Sequence, residues 1–295
     1  MTPDDESETA VRDAFSLFDH EIRLEILLAL LEDWRAVYTE PRSYAELMDA
    51  VGMRDSGKFN YHLDKLRGVY VREVEDGYVP TAAVTALYRA VLAHRPTDRL
   101  ALDRTTIDST CPRCEGAAVL RYERGFVTVE CSACEEWPGF TYPFPKNGIE
   151  GRDPDAVVRA TARRARYHAG LARTGQCPFC AGQTAVDVHL ESDADGWGDE
   201  DGESEDVVVE IACETCTFLV GMGPLPPLLF DGRVAGAFAD IGVDLERADW
   251  ELPAPTARVD ARDPLRLALS VAGDAGTATI VVDDSLTVRS VDIER

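Results

Sequence analysis

Residues 54–68 read RDSGKFNYHLDKLRG, and the first third of the fold turns on how this stretch is read. Phe59, Leu63 and Leu66 recur at i, i+4 and i+7, the spacing of one apolar stripe on a helix. Asp55 stands at the N-cap position, and Gly68 stands where such a helix stops. The stripe must face a core, which turns Ser56, Gly57, Lys58, Asn60, Tyr61 and Lys65 outward. The chain has only three lysines, Lys58, Lys65 and Lys146, so two of them lie on one short helix. With Arg54 and Arg67 set against Asp55 and Asp64, the stretch is net +2 in a chain of formal net charge −24.

The flanking sequence supplies matching elements. Residues 8–33 read as helices, with Ile22, Ile26, Leu27, Leu30 and Leu31 on one stripe of HEIRLEILLALLE. SYAELMDAVG opens with a capping box, Ser43 to Glu46, and stops at Gly52. After the charged helix, VYVREVEDGYVPT carries a hairpin signal at Asp76-Gly77, and residues 82–94 read as a further helix. Helix, helix, helix, turn, helix, hairpin, helix over residues 9–98 is the order of a winged helix-turn-helix. HEIRLEILLAL resembles the second-helix signature of ArsR-type bacterial and archaeal repressors. KFNYHLDKL is similar to their recognition-helix pattern, a small or polar run ending in His-Leu-x-x-Leu. The resemblance covers about residues 10–95, a third of the chain. It implies a homodimer joined through the helices at 10–18 and 82–94, which would set the recognition helices about 34–36 Å apart, one turn of double-stranded DNA.

On that reading Lys58 donates to guanine O6 and N7, Asn60 pairs with adenine, and Ser56, Gly57 and Tyr61 lie at the groove. Arg54, Lys65, Arg67 and Arg72 fall where phosphates run, positioning the protein without reading bases. Tyr78, on the hairpin, is expected to reach a neighbouring phosphate or groove edge. The competing reading of these bases is a solvated helix face. His62, beside Leu63, is read as a packing residue rather than a ligand.

The rest of the chain is acidic. There are 54 acids and 30 bases, and 27 of the bases are arginine. An acidic, lysine-poor surface suits solubility in a very salty cytoplasm and predicts a halophilic source, the alternative being an ordinary acidic soluble protein. Residues 1–8 begin an acidic stretch, MTPDDESETA, that lacks the basic region of a signal peptide and is expected to be a disordered tail. The longest aliphatic run, near residues 26–31, falls far short of the ~20 residues that span a bilayer. A cytoplasmic protein without membrane contact is expected.

Eight cysteines form four Cys-x-x-Cys pairs, 111/114, 131/134, 177/180 and 213/216, with none left over. In a reducing compartment this pattern predicts metal rather than disulfides. Cys111, Cys114, Cys131 and Cys134 have zinc-ribbon spacing within residues 109–150. Cys177, Cys180, Cys213 and Cys216 form a second ribbon within 176–225, with 32 residues between the pairs. Nine acids among residues 191–206 predict an elongated, mobile loop between that ribbon's strands. Two structural Zn2+ ions are therefore expected. Residues 99–108 read as a linker. Residues 151–175 read as an arginine-rich helix with Asp153 as N-cap, Pro154 at its first position and Gly175 closing it. Its arginines are expected to dock on an acidic surface of the same or a partner chain. Residues 226–295 read as an α/β segment, with a short helix near GRVAGAFADIG and a closing β-meander of LRLALSV, TATIVVD and LTVRSVDI. The region after residue 98 resembles the cysteine-rich C-terminal regions of haloarchaeal winged-helix regulators.

The fold class expected is α+β. The function expected is a sequence-specific, double-stranded-DNA-binding transcriptional regulator, whose C-terminal region senses an effector, meets a protein partner or braces the dimer. The alternative is a protein-interaction adaptor of the transcription or translation machinery. No phosphate-binding loop, dinucleotide fingerprint, nucleophile elbow or His-Glu-x-x-His occurs, so an enzyme is not expected.

Overall fold

Apolar spacing and capping residues set most of the elements seen in the computed structural model, which describes residues 3–36, 39–191 and 206–295. The chain divides into two units, Met1–Asp98 and Arg99–Arg295. Together they are mixed α+β, with helices in the first unit and antiparallel sheets in both.

The first unit runs α1 (Pro3–Ser16), α2 (Glu21–Leu31), α3 (Tyr44–Ala50), α4 (Ser56–Leu66), β1 (Val71–Val74), β2 (Gly77–Pro80) and α5 (Ala82–His94). α1 starts inside the stretch read as an acidic tail, at Pro3. The Ser43–Glu46 capping box opens α3, and the Asp55 carboxylate accepts the Lys58 N–H at 3.0 Å to open α4. Ile26, Leu27, Leu30, Leu47, Phe59, Leu63, Leu66 and Val71 fill the core. The β1–β2 hairpin pairs Val74 with Gly77, so its two-residue turn is Glu75-Asp76 and not Asp76-Gly77. The backbone of Arg42 extends the hairpin by exchanging hydrogen bonds with Tyr78 at 3.1 and 2.8 Å. Gly77, at φ +143°, is needed there, because a Cβ would lie 2.3 Å from the Arg42 carbonyl oxygen.

The second unit holds three antiparallel sheets. The first is β3 (Leu102–Thr110), β4 (Ala117–Glu123), β5 (Phe126–Cys131) and β6 (Phe140–Pro143). The second is β7 (Thr184–Glu191), β8 (Asp206–Cys213) and β9 (Leu219–Met222). The third is β10 (Thr256–Arg262), β11 (Leu265–Gly273), β12 (Gly276–Asp283) and β13 (Val288–Glu294). α6 (Pro154–Arg173) and α7 (Gly232–Asp240) lie between them in sequence. Two expectations change here. Residues 99–108 are not a linker, because most of them enter β3, an edge strand of polar β-branched residues with Ile107 as its one buried side chain. The closing meander has a fourth strand, β10, whose charged alternation hid it. The acidic loop lies outside the described residues apart from its flanks, where Glu191 pairs with Asp206.

α6 serves two cores. Asp153 caps it through the Ala156 N–H at 2.7 Å, and Pro154 begins it. Val157 and Val158 pack with Leu120, Tyr122, Val127 and Val129 of the first sheet. Ala172, near the other end, joins Val209, Ile211, Phe238 and the inner residues of the third sheet. Small residues at Ala162, Ala165 and Ala169 let its buried face approach closely.

Candidate metal centres and the outward face of α4

Each Cys-x-x-Cys pair sits on a tight turn whose backbone amides point at sulfur. Arg113 N–H donates to Cys111 Sγ at 3.4 Å, and the amides of Ala133 and Cys134 donate to Cys131 Sγ at 3.3 Å each. In the second unit Phe179 N–H donates to Cys177 Sγ at 3.5 Å, while Thr215 and Cys216 donate to Cys213 Sγ at 3.3 and 3.4 Å. The two turns match in detail. Glu115 and Ala181, one residue past the second cysteine of each leading pair, have φ +58° and +59°. The glycines that follow lie against sulfur, their Cβ positions 3.2 Å from Cys114 Sγ and Cys180 Sγ.

These turns bring together Cys111, Cys114, Cys131 and Cys134 in one cluster and Cys177, Cys180, Cys213 and Cys216 in another, with all four sulfurs of each within 4.8 Å of one another. Cys111–Cys134 and Cys114–Cys131 are 3.7 and 3.5 Å apart, and Cys177–Cys216 and Cys180–Cys213 are 3.6 and 3.5 Å. Four sulfurs about 2.3 Å from one tetrahedral ion stand ~3.8 Å from each other. A disulfide needs about 2.05 Å, so these are free thiols set at metal-ligand spacing. The donor set and geometry fit a structural metal in both ribbon-type units, with no cross-pairing between them.

Electrostatics point the same way. The Ala133 N–H, helped by Cys134 against the effect of burial, lowers the Cys131 thiol to about 6. The amides of Thr215 and Cys216 do the same for Cys213, also to about 6. Gly116 N–H pulls Cys114 down, but the neighbouring thiols of Cys134 and Cys131 push it up to about 12. One thiol of a cluster ionises readily while another resists, so four thiolates together require a cation at their centre.

On α4, Phe59, His62, Leu63 and Leu66 are buried. Ser56, Gly57, Lys58, Asn60, Tyr61 and Lys65 are exposed, as are Arg54, Arg67 and Arg72. Tyr61 is 59 % exposed, with Lys65 Nζ 5.6 Å from its ring centre. Two of the expected donors are already engaged within the chain. Asn60 donates to Asp64 at 3.0 Å, and Arg67 pairs with Asp64 at 2.9 Å and with Glu73. Tyr78 departs from the expectation: it is 9 % exposed and packs in the core, so its ring does not reach a surface groove. Tyr78, Val79 and Pro80 are all buried, so both faces of β2 are covered within this unit and Tyr78 packs inward.

His62 packs as expected, 5 % exposed, with its ring 4.0 Å from that of His20. Its Nδ1 has no hydrogen-bond partner among the described residues. Burial first, then the positive charge of His20, Arg23 and Lys58, lowers its pKa. His20 is in turn the N-cap of α2, its Nδ1 accepting the Ile22 N–H at 3.2 Å, a role for which histidine is no usual capping signal.

Arg163, Arg166 and Arg173 of α6, and Arg152 just before it, bond within their own unit. Arg163 pairs with Glu246 at 2.8 Å, Arg173 donates to the Leu286 carbonyl at 3.0 Å, and Arg152 donates to that of Gly148 at 2.9 Å. Arg166, largely buried, pairs with Asp249 and also donates to the carbonyls of Leu245 and Arg247. A second, partly buried pair joins β6 to α6, with Tyr142 Oη and His168 Nδ1 2.7 Å apart. Burial, with the nearby Arg164 charge, lowers His168 to about 4, and burial raises Tyr142 to about 12. Both shifts lead away from neutrality, opposite to what general acid–base work near pH 7 needs.

These features define a class: an α+β chain with two four-cysteine metal-type clusters in ribbon units. The chain belongs to the family described as Domain of unknown function (DUF7351), whose model matches residues 108–288, more than half of its length. Residues 11–91 match a second model, described as Domain of unknown function (DUF7347). No curated protein and no solved structure matches the chain.

Proposed function

We propose that the protein is a sequence-specific DNA-binding transcriptional regulator of the ArsR-like, winged helix-turn-helix kind. In this reading it acts as a homodimer and carries zinc in both cysteine clusters. The observation that carries the reading is the outward face of α4. Lys58, Asn60, Tyr61 and Lys65 are exposed there, and Phe59, Leu63 and Leu66 anchor the helix from behind. Two of only three lysines sit on this face of a chain with net charge −24. A duplex is a polyanion, and the acidic remainder repels it from other surfaces. Lys58 and Asn60 lie in the N-terminal half of α4, the part of such a helix that meets base edges. Val11 and Phe15 on α1 and Val91 and Leu92 on α5 are each about half exposed, which supports dimer burial through those helices. Four thiolates at tetrahedral spacing favour zinc over harder ions. The composition supports a halophilic, cytoplasmic setting, and no described helix is long and apolar enough to cross a membrane.

At molar salt the Debye length is roughly 3 Å, so affinity must come from direct contacts and shape more than from steering. Salt-titrated binding of the full chain to genomic fragments tests the reading. Lys58→Ala is expected to weaken the preferred site by ~1–3 kcal/mol and to relax base preference. Equal loss on random DNA would leave Lys58 a phosphate contact only. The adaptor reading draws on the engagement of Asn60 and Arg67 by Asp64 and Glu73, which leaves fewer donors for bases. An adaptor shows no preferred fragment at any salt.

A further inference from the structure

The two cysteine units share more than their ribbons. In the first, β4 and β5 between the cysteine pairs are followed by edge strand β6, a 3-10 turn at Lys146–Gly148 and the Asp153-capped helix α6. In the second, β7 and β8 are followed by edge strand β9, a 3-10 turn at Pro226–Leu228 and the Asp231-capped helix α7. The chain thus contains one module twice. The equivalent segments of the two copies, Trp137–Tyr142 and Val220–Pro226, line a single cleft of about 720 Å³ that Trp250 and Leu252 also border.

The walls of this cleft are aromatic. Trp250 lies 5.8 Å from Trp137 and 5.1 Å from Phe140, and Phe140 stacks on Tyr142 at 6.3 Å between ring centres. Trp137, Phe140 and Trp250 remain only half-buried, so the protein's own side chains do not seal them. The polar groups among them are committed inward. Trp250 N–H donates to Ser109 Oγ at 3.0 Å, Tyr142 is bonded to His168, and the donors of Arg166 go to Asp249 and two carbonyls. Arg113 and Thr141 reach the rim from solvent, where water screens charge. β6 and β9 each end a sheet, so their outer backbone edges carry no neighbouring strand among the described residues.

We propose that this cleft binds an uncharged, planar aromatic or heteroaromatic small molecule. The ligand stacks on the open faces of the Trp137, Phe140 and Trp250 rings and hydrogen-bonds to a strand edge. Cleft size and lining are those of small-molecule sites, concave and apolar with few polar groups. Ring stacking is the recognition these walls offer, and among the described residues no buried unpaired charge lines the cleft to await an ionic group. As a binding site the inference stands apart from the DNA reading; as an effector site it rests on that reading.

The test is a fluorescence titration of the full chain with N-phenyl-1-naphthylamine, an uncharged probe, in a Trp34→Phe, Trp197→Phe background that leaves the two cleft tryptophans as reporters. Saturable one-to-one quenching is expected, with naphthalene-1-sulfonate at least about tenfold weaker. Gly221 lines the cleft at a point where an added Cβ meets nothing within 4 Å, so Gly221→Phe introduces a bulky ring at the cleft wall with no clash at its first atom. It is expected to weaken the probe by about tenfold or more while metal content and circular dichroism stay unchanged. Trp250→Leu is the second variant should the first misfold, with the same loss expected. Absent saturation, equal binding of the sulfonate, or full affinity in a folded Gly221→Phe or Trp250→Leu chain would overturn the site. Operator binding measured with and without probe separates the two readings: saturable probe binding by a chain blind to DNA sinks the regulator and keeps the cleft.

Discussion

Between its inner cysteines the first module has 16 residues and the second 32, yet the clusters they close are alike in turn conformation, amide-to-sulfur bonds and sulfur spacing. The extra length enters where it costs least. β4 pairs with β5 up to Glu123 and Phe126, and β7 pairs with β8 up to Glu191 and Asp206, so both hairpins have similar strands and differ at their tips. A tip is remote from the cysteine turns at the other end, and loop-closure cost grows only with the logarithm of length. The modules differ in what surrounds them. The first packs in a modest core with β3 and the start of α6, whereas the second shares a larger core with α7 and the four-stranded meander. Metal and apolar burial are thus weighted differently in two copies of one plan.

That contrast is open to attack, most forcefully at the metal. Cys131→Ser and Cys213→Ser should each lower the metal content from two ions per chain to one, read by cobalt exchange and thiolate charge-transfer bands. Structural zinc contributes ~10–16 kcal/mol of apparent binding in small peptides, so both losses are large. They should differ in reach. Cys131→Ser is expected to unfold the first ribbon, while Cys213→Ser leaves the meander protected from proteolysis by its own core. Equal collapse in both variants would show that the larger core does not compensate. The next effect is at Arg166, whose partner Asp249 is drawn from 83 residues away. Burial raises the Asp249 pKa while Arg166 opposes that shift, and both side chains are under a fifth exposed. Asp249→Ala leaves a largely buried guanidinium without its counter-charge and should cost about 3 kcal/mol in denaturant unfolding.

Which features could be read in advance follows from their range along the chain. Local devices were legible: the Ser43–Glu46 box, the Asp55 and Asp153 caps, the Phe59/Leu63/Leu66 stripe and the Cys-x-x-Cys turns all depend on residues within a few positions. Strands with one solvated face were not. β3 offers one buried side chain, Ile107, among threonines and charges, and β10 interleaves Ala257 and Val259 with Arg258, Asp260 and Arg262. β3 lacks the apolar alternation that marks a half-buried strand, and in β10 the alternating side chains Ala257, Val259 and Ala261 are too small and too closely interleaved with charge to stand out. Tyr78 lies on a hairpin strand that the unit covers on both faces, a tertiary effect that the hairpin signal does not carry. The aromatic cleft and the Tyr142–His168 and Arg166–Asp249 pairs join residues far apart in sequence, and no local pattern announces them.

Acid separates the copies by a smaller amount. His168 leans on the second module, its ring 5.0 Å from that of Phe179, while its Nδ1 holds Tyr142 of the first. Its pKa in the folded chain is about 4, below the ordinary histidine value of about 6.5. Between those values the unfolded chain binds the extra proton, so the contribution of this group is complete above about pH 6.5 and is lost as pH falls toward about 4. The ring is only half-buried, which limits the effect to about 1–2 kcal/mol. His168→Gln should flatten that part of the stability–pH curve in urea titrations relative to the unaltered chain, and an unchanged slope would remove His168 as its source.

The gentlest test is also the most direct for the shared plan. Replacing residues 193–204 with a two-residue turn gives the second hairpin a tip close to that of the first. If the cysteine turns are set by their own amides and glycines, the metal content stays at two ions per chain. Shortening the closed loop should then stabilise the chain, by about 1 kcal/mol. The acidic segment would on this outcome be a passenger on the fold, to be explained by its charge alone. Loss of the second metal on deletion would mean that the segment braces the cluster, and the two copies would be alike in outline but not in what holds them.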